Sequence, residues 1–200
     1  MGLEEAAVAE GSADPVYSHK PSLIGAAWDL RLRPDALEWR TSRHAGRIQY
    51  GSIARVRLSY RPVALQSRRF VAEIWQLGRP RLAIPSTSWR SVTEQERQDQ
   101  AYGAFIRELH RRISRSGAQV SYEAGLPFFV YWPGLVLFAA TGLALVALIV
   151  RGLQAGAFAG AALVGIIFVP LLWQSGTFFW RNHPGRYRPD ALPERLVPLA

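Results

Sequence analysis

The 200-residue chain carries 24 Lys and Arg against 15 Asp and Glu, a formal charge of +9, and no cysteine, which excludes disulfides, thiolate metal sites and a thiol nucleophile. Its mean hydropathy of +0.01 averages two unlike halves, because residues 128–150 and 155–179 contain no Asp, Glu, Lys, Arg or His. Charge is split the same way, −3 over residues 1–20, +9 over 21–125 and +3 over 126–200, nearly all of the positive part arginine.

Residues 1–20, rich in Ala, Glu, Gly and Ser, are expected to form a disordered lead-in. The acidic start Met1-Gly2-Leu3-Glu4-Glu5 is followed by no apolar run, so no cleavable signal peptide is expected, and Ala6 lacks the hydroxyl of a myristoylation signal. Residues 21–118 are long enough for one compact domain.

Within that domain Trp28, Leu30 and Leu32 alternate with Asp29, Arg31 and Arg33, the period of a strand with one buried and one charged face. Pro34-Asp35 marks a tight turn before Leu37 and Trp39 repeat the pattern against Glu38 and Arg40. A third strand carries Ile48 and Tyr50. A longer one alternates Val56, Leu58 and Tyr60 with Arg55, Arg57 and Ser59, and two more flank Gly78-Arg79-Pro80. Strands are expected to stop near Ser91, where two overlapping capping boxes, Ser91 with Glu94 and Thr93 with Glu96, open a helix to about Arg115. Tyr102, Phe105, Ile106, Leu109 and Ile113 give that helix one apolar stripe, and Arg111, Arg112 and Arg115 suit its C-terminal dipole.

Residues 119–127 read as a linker. The segments 128–150 and 155–179 each exceed the roughly 20 apolar residues that cross a bilayer as a helix, and the short break Arg151-Gly152-Leu153-Gln154 turns them into an antiparallel hairpin. Arg107, Arg111, Arg112 and Arg115 before the first span, with Arg181, Arg186 and Arg188 after the second, outnumber Arg151 in the turn. The positive-inside rule then puts both termini in the cytoplasm. Tyr131 and Trp132, which begin the first span, and Trp173, Phe179 and Trp180, which close the second, would form an aromatic belt in one leaflet. Gly152, Gly156 and Gly160 make two Gly-x-x-x-Gly steps, a candidate face for packing within the hairpin or against a second copy. Residues 180–200 have a proline every few positions and are expected to be extended. Tyr187, Pro189, Leu192, Pro193 and Leu196 are candidates to dock on the chain's own sheet or on a partner.

Several short antiparallel strands followed by one amphipathic helix is a pleckstrin-homology-like order. Leu32-Arg33-Pro34-Asp35-Ala36-Leu37-Glu38-Trp39-Arg40 and Arg47-Ile48-Gln49-Tyr50-Gly51-Ser52-Ile53 resemble the opening hairpin and third strand of bacterial pleckstrin-homology-like membrane proteins, over about residues 23–116, with Ala36 where a turn Gly is common. The resemblance implies an α+β fold, an antiparallel β-barrel capped by a C-terminal amphipathic helix, and residence in a bacterial inner membrane. It implies no chemistry.

The side chains that could carry function are few. Arg31, Arg33, Arg40, Arg55 and Arg57 occupy outward strand positions and are candidates to bind anionic lipid or an acidic partner. The plainer reading is a solvated, arginine-rich surface. His19, His44, His110 and His183 have no metal-ligand spacing, and no catalytic residue, cofactor site or metal ligand is expected. Asn182-His183-Pro184 with Asp190 and Glu194 could be imagined in acid–base work on a headgroup, but a packed prolyl tail is the simpler reading. Nucleic acid is not expected despite a pI near 10.7, since the aromatics fall on inward strand positions or at the bilayer edge. The expected function is therefore non-enzymatic: an accessory, assembly or scaffold component of a membrane complex, with anionic-lipid binding through the arginines as the alternative.

Overall fold

The structure, a computed structural model, describes residues 14–22, 24–62, 68–91 and 95–198. It is α+β, with sheets that are antiparallel apart from one parallel strand pair, and two long apolar helices toward the C-terminus. Strands β1 (Val16–His19), β2 (Trp28–Leu32), β3 (Ala36–Arg40) and β4 (Ala45–Gln49) form one antiparallel sheet in that order. A 3-10 turn over Tyr50–Ser52 then redirects the chain into β5 (Ile53–Tyr60), β6 (Phe70–Gln76) and β7 (Leu82–Pro85) of a second sheet. A small ribbon of β8 (Thr87–Trp89) and β9 (Gln95–Arg97) precedes helix α1 (Asp99–Arg115).

The period-two reading of the first hairpin holds, with Leu30 opposite Trp39 and Leu32 opposite Leu37. Leu30, Leu32, Leu37, Val56, Leu58 and the stripe Tyr102, Phe105, Ile106, Leu109, Ile113 share one core. That burial removes α1's apolar face from water and is the main driving force for its docking.

Four expectations are corrected. Val16–His19, assigned to the lead-in, are β1, because Tyr17 and His19 turn inward and the Tyr17 hydroxyl donates to the Pro85 carbonyl at 2.7 Å; residues 1–13 lie outside the described residues. The sheets do not close into one barrel among the described residues, since the turn at Tyr50–Ser52 breaks the ladder between β4 and β5. Helix α1 starts at Asp99, with Gln98 as its N-cap and β9 occupying Gln95–Arg97; Thr93 and Glu94 of the expected capping boxes lie outside the described residues. The 119–127 linker contains β10 (Ser121–Ala124), which runs parallel to β5.

Helix α2 (Phe128–Gln154) and helix α3 (Phe158–Arg181) are 27 and 24 residues long and lie almost wholly exposed, each long and apolar enough to cross a membrane. They form a hairpin whose reversal falls at residues 155–157 rather than 151–154. Gly156, at φ 73°, makes the turn, and Arg151 lies in the last turn of α2, which ends at Gln154. The chain then returns through β11 (Gly185–Arg186), antiparallel to β10, so the second sheet has the order β11-β10-β5-β6-β7.

Candidate functional site

The feature that distinguishes this fold is the neck where the sheet domain meets the hairpin. Strands β5 and β10 run side by side toward it, and three residues separate β10 from α2 and α3 from β11. Asn182, fully buried directly after α3, uses its amide as a clamp. Its Nδ2 donates to the carbonyls of Tyr60 (2.7 Å) and Phe178 (3.1 Å), and its Oδ1 accepts from the Tyr60 N–H (2.9 Å). These bonds satisfy the end of β5 as a neighbouring strand would. The Asn182 carbonyl accepts from Leu126 N–H at 3.0 Å, and Gly125 N–H donates to Leu58 at 2.8 Å.

Gly125 has φ 76°, and a Cβ there would collide with the carbonyls of Asn182 and His183. Only glycine suits both the conformation and the approach. Tyr131, in the first turn of α2, is buried against Phe179 and His183 at ring separations of 5.8 and 5.5 Å. Both helix ends are thus fixed to the domain by packing as well as by hydrogen bonds.

The five arginines selected from outward positions do not form one free basic face. Arg33 pairs with Asp14 at 2.9 Å and Glu38 at 3.0 Å, while Arg55 and Arg57 converge on Glu123 and flank the Trp75 ring at 5.7 and 5.3 Å. Arg31 and Arg40 are exposed on the outer side of the first sheet, interleaved with Asp29 and Glu38. Arg47 is neutralised there by Asp35 at 2.6 Å. Alternating signs on a pleated face place opposite charges across strands, which keeps the net field small.

The three glycines also separate. Gly152 meets Ala161 across the hairpin, Gly156 forms the turn, and Gly160 has open space beside it. They do not share a helix face, because the helix breaks between the first and the third. The hairpin seam instead uses Gly134 against Phe179, Gly142 against Leu172 and Gly176 against Phe138, where missing side chains admit large ones from the other helix.

The tail docks on its own domain. Leu196 and Val197 are buried in the common core, and Tyr187 and Leu192 pack against it. His110, wholly buried on α1, donates from Nδ1 to the Ile106 carbonyl at 2.7 Å; its Nε2 therefore accepts the Tyr187 hydroxyl at 2.8 Å. Burial lowers the His110 pKa to about 4, only partly opposed by the bond to Ile106, so the ring is neutral as this geometry requires. Pro189 lines a groove of about 660 Å³ between α1 residues Arg107, Arg111 and Arg115 and tail residues Asp190 and Glu194, while the carbonyl of half-buried Pro193 accepts from the Leu196 and Val197 N–H groups. Arg107 reaches over to donate to the Pro198 carbonyl at 2.6 Å.

His183 and Asp190 have different surroundings: the first lies edge-on to Tyr131, the second is exposed in a turn with Arg188 at 3.8 Å. Among the described residues no group of three or more His, Asp or Glu side chains is placed to hold a metal ion. The neck residues Asn182, Gly125 and Tyr60 had no signal in residue type or spacing beyond the Gly and Pro that border the spans. Comparison with known proteins adds no relative: no family model, curated protein or solved structure matches this chain.

Proposed function

We propose that the chain is an integral membrane protein in which α2 and α3 span a bacterial inner membrane, with both termini and the sheet domain on the cytoplasmic side. Its role on this reading is non-enzymatic, as an accessory, assembly or scaffold component of a larger membrane complex. The pleckstrin-homology-like resemblance belongs to the same proposal. It is supported by strand order and by α1 covering the sheets.

The observation that carries the reading is the Asn182–Tyr60–Gly125 neck. A tethered enzyme or sensor tolerates a flexible linker, whereas buried hydrogen bonds across a three-residue connection hold a domain at a set height and orientation. Fixed placement is what a positioning subunit needs. The alternative, anionic-lipid binding through Arg31, Arg33, Arg40, Arg55 and Arg57, draws less support, because three of the five are already bonded to carboxylates.

The test compares the full chain with a variant carrying an eight-residue Gly-Ser insertion between Ala124 and Gly125, both purified in mild detergent. The wild type is expected to co-elute with a defined membrane protein, and the insertion to abolish that association while membrane insertion persists. A solitary wild type sinks the scaffold role; association that survives the insertion sinks the requirement for fixed placement.

A further inference from the structure

The first sheet turns one of its ends toward the side of the domain that carries the neck. Tyr60, at the end of β5, is opposite Phe70, whose N–H donates to Ser86 Oγ at 3.0 Å and whose carbonyl accepts from the Ser86 N–H at 2.8 Å. Around Ser86 the chain meets β1. The Tyr17 hydroxyl donates to the Pro85 carbonyl, the Lys20 N–H donates to Ser88 Oγ at 3.0 Å, and the Lys20 carbonyl accepts from the Trp89 N–H at 3.1 Å.

The opposite end of β1 is fixed as well. Helix α1 starts on the neck side, where the Gln98 N–H donates to the Ser86 carbonyl at 2.9 Å, and about 20 Å along its axis Arg112 lies 3.8 Å from Asp14. Strand β1 covers that distance in reverse, about 20 Å from Asp14 to Lys20, with the Tyr17 ring passing Phe105 at 5.5 Å and Tyr102 at 6.2 Å. It therefore climbs alongside α1, and the connection from β1 to β2, residues 20–27, begins on the neck side. Trp28 opens β2 opposite His19 and stacks on Trp39 at 5.2 Å, which brings the β3–β4 turn to the same end of the sheet.

The β1–β2 loop is apolar apart from Lys20 and Ser22, and Ile24 within it is wholly exposed. Neither this loop, nor the turn at 41–44, nor the connection 61–69 contains an Asp or Glu, whereas Lys20, Arg43, Arg61, Arg68 and Arg69 all fall in them. A lone exposed isoleucine is ordinary on a soluble surface. This one stands in an apolar loop on the side from which two membrane-length helices leave, among connections that carry only positive charge. That is the composition of an interfacial anchor, with apolar side chains for the acyl boundary and basic ones for anionic headgroups.

We propose that the β1–β2 loop is a second membrane contact, in which Ile24 enters the boundary between headgroups and acyl chains of the cytoplasmic leaflet and Lys20 lies among anionic phospholipid headgroups. The contact rests on the spanning hairpin proposed above and uses none of the outward strand arginines. It adds to the neck a second attachment, which resists rocking of the domain against the bilayer.

The chain has no cysteine, so a single introduced thiol carries a single label. The experiment reconstitutes the full chain in vesicles of dioleoyl phosphatidylglycerol and dioleoyl phosphatidylcholine in equal parts, with an environment-sensitive fluorophore on Ile24→Cys, Leu77→Cys or Ile166→Cys and nitroxide-bearing lipid as quencher. Leu77, 86% exposed just after β6 and so at the end of that strand away from the neck, controls for an exposed apolar side chain. Ile166, 72% exposed in α3, reports the span. A side chain held about 5–10 Å inside the headgroup boundary is within reach of shallow nitroxides, so the label at 24 is expected to lose at least about half its emission and the label at 77 less than about a tenth. Vesicles of phosphatidylcholine alone are expected to lower the ratio of docked to free loop about fivefold, since Lys20 loses its anionic partner. Ala27→Cys, also exposed, repeats the measurement should Ile24→Cys fail to fold. An unquenched label at 24 beside a quenched one at 166 sinks the loop contact alone, whereas an unquenched label at 166 sinks the spanning hairpin and the contact with it. Equal quenching at 24 and 77 overturns the contact as nonspecific, and quenching at 24 that ignores phosphatidylglycerol overturns the role of Lys20. A photocrosslinker at 24 that joins to protein instead of lipid in native membranes overturns the lipid assignment in favour of a protein surface.

Discussion

The side-chain amide of Asn182 closes a pair of hydrogen bonds on the backbone of Tyr60, 122 positions earlier in the chain, at 2.7 and 2.9 Å. A residue after a long apolar helix thereby supplies the lateral hydrogen bonding of a strand in the soluble domain. Replacing it by alanine orphans the Tyr60 N–H and C=O in a buried site, where each lost partner costs about 1–3 kcal/mol. Asn182→Ala is therefore expected to lower the unfolding free energy of the domain by about 2–4 kcal/mol. Protease sensitivity between Ala124 and Phe128 should rise in parallel. Urea unfolding followed by tryptophan fluorescence, with limited proteolysis of the folded protein, checks both.

Gly125 stands opposite this clamp. Alanine there would need φ near 76° and would place its Cβ against two carbonyls. The left-handed conformation alone costs about 1–2 kcal/mol, and the collision requires the neck to move. Gly125→Ala is expected to destabilise more than Gly78→Ala, which has a similar φ of 71° but open space beside it. The difference between the two variants' thermal midpoints measures the close approach, free of the dihedral penalty. Equal midpoints would show that the neck is loose.

How much of this was legible follows from where each signal resides. Alternation in β2, β3 and β5 and the stripe of α1 are local patterns, since one face meets the core and the other meets water. Two long uncharged segments announce a hairpin for the same reason. Strand β1 was hidden because Ser18 and His19 are poor strand markers, and the burial of His19 involves tertiary packing, including a stack on Trp28. Strand β10 was hidden because its partner β5 lies across the intervening strands and α1. The neck was least legible: one amide, one glycine and a strand end carry no periodicity, and only the fold brings them together.

Trp39 illustrates a partly correct reading. It was expected in the core, and it stacks on Trp28 at 5.2 Å above Gly46, but it stays partly exposed. Trp39→Ala is expected to cost about 2–3 kcal/mol, below the 3–5 of a fully enclosed aromatic. Gly46→Ala, which would push a methyl into the indole, is expected to shift the fluorescence of the tryptophan pair as well as stability. Equilibrium unfolding with emission spectra checks both.

The tail lock gives a further variant. Tyr187→Phe keeps the ring among His110 and Tyr122 but removes the donor to His110 Nε2. An orphaned buried acceptor costs about 1–3 kcal/mol, and release of residues after β11 should follow. Faster hydrogen exchange at the Tyr187 and Leu196 amides, whose acceptors are the Tyr122 and Pro193 carbonyls, is the expected signature. Unchanged exchange would mean that Leu196 and Val197 hold the tail without the hydroxyl.

Acid should loosen the domain through two buried histidines. Burial lowers His19 and His110 to about 4, with the Arg69 charge adding to the effect at His19 and the Ile106 bond opposing it at His110. Between the unfolded pKa of about 6.5 and these values the unfolded chain binds more protons than the folded one, so stability rises with pH. The contribution is complete above about pH 6.5 and disappears progressively as pH falls toward 4. By pH 5 each histidine should have removed roughly 2 kcal/mol. Urea midpoints of the full chain in detergent at pH 7.5, 6.0 and 5.0 should fall in that order, and His110→Gln should flatten the slope by about one proton. A midpoint independent of pH across this range would mean that the two rings are hydrated, and would remove the neutral His110 on which the tail lock depends.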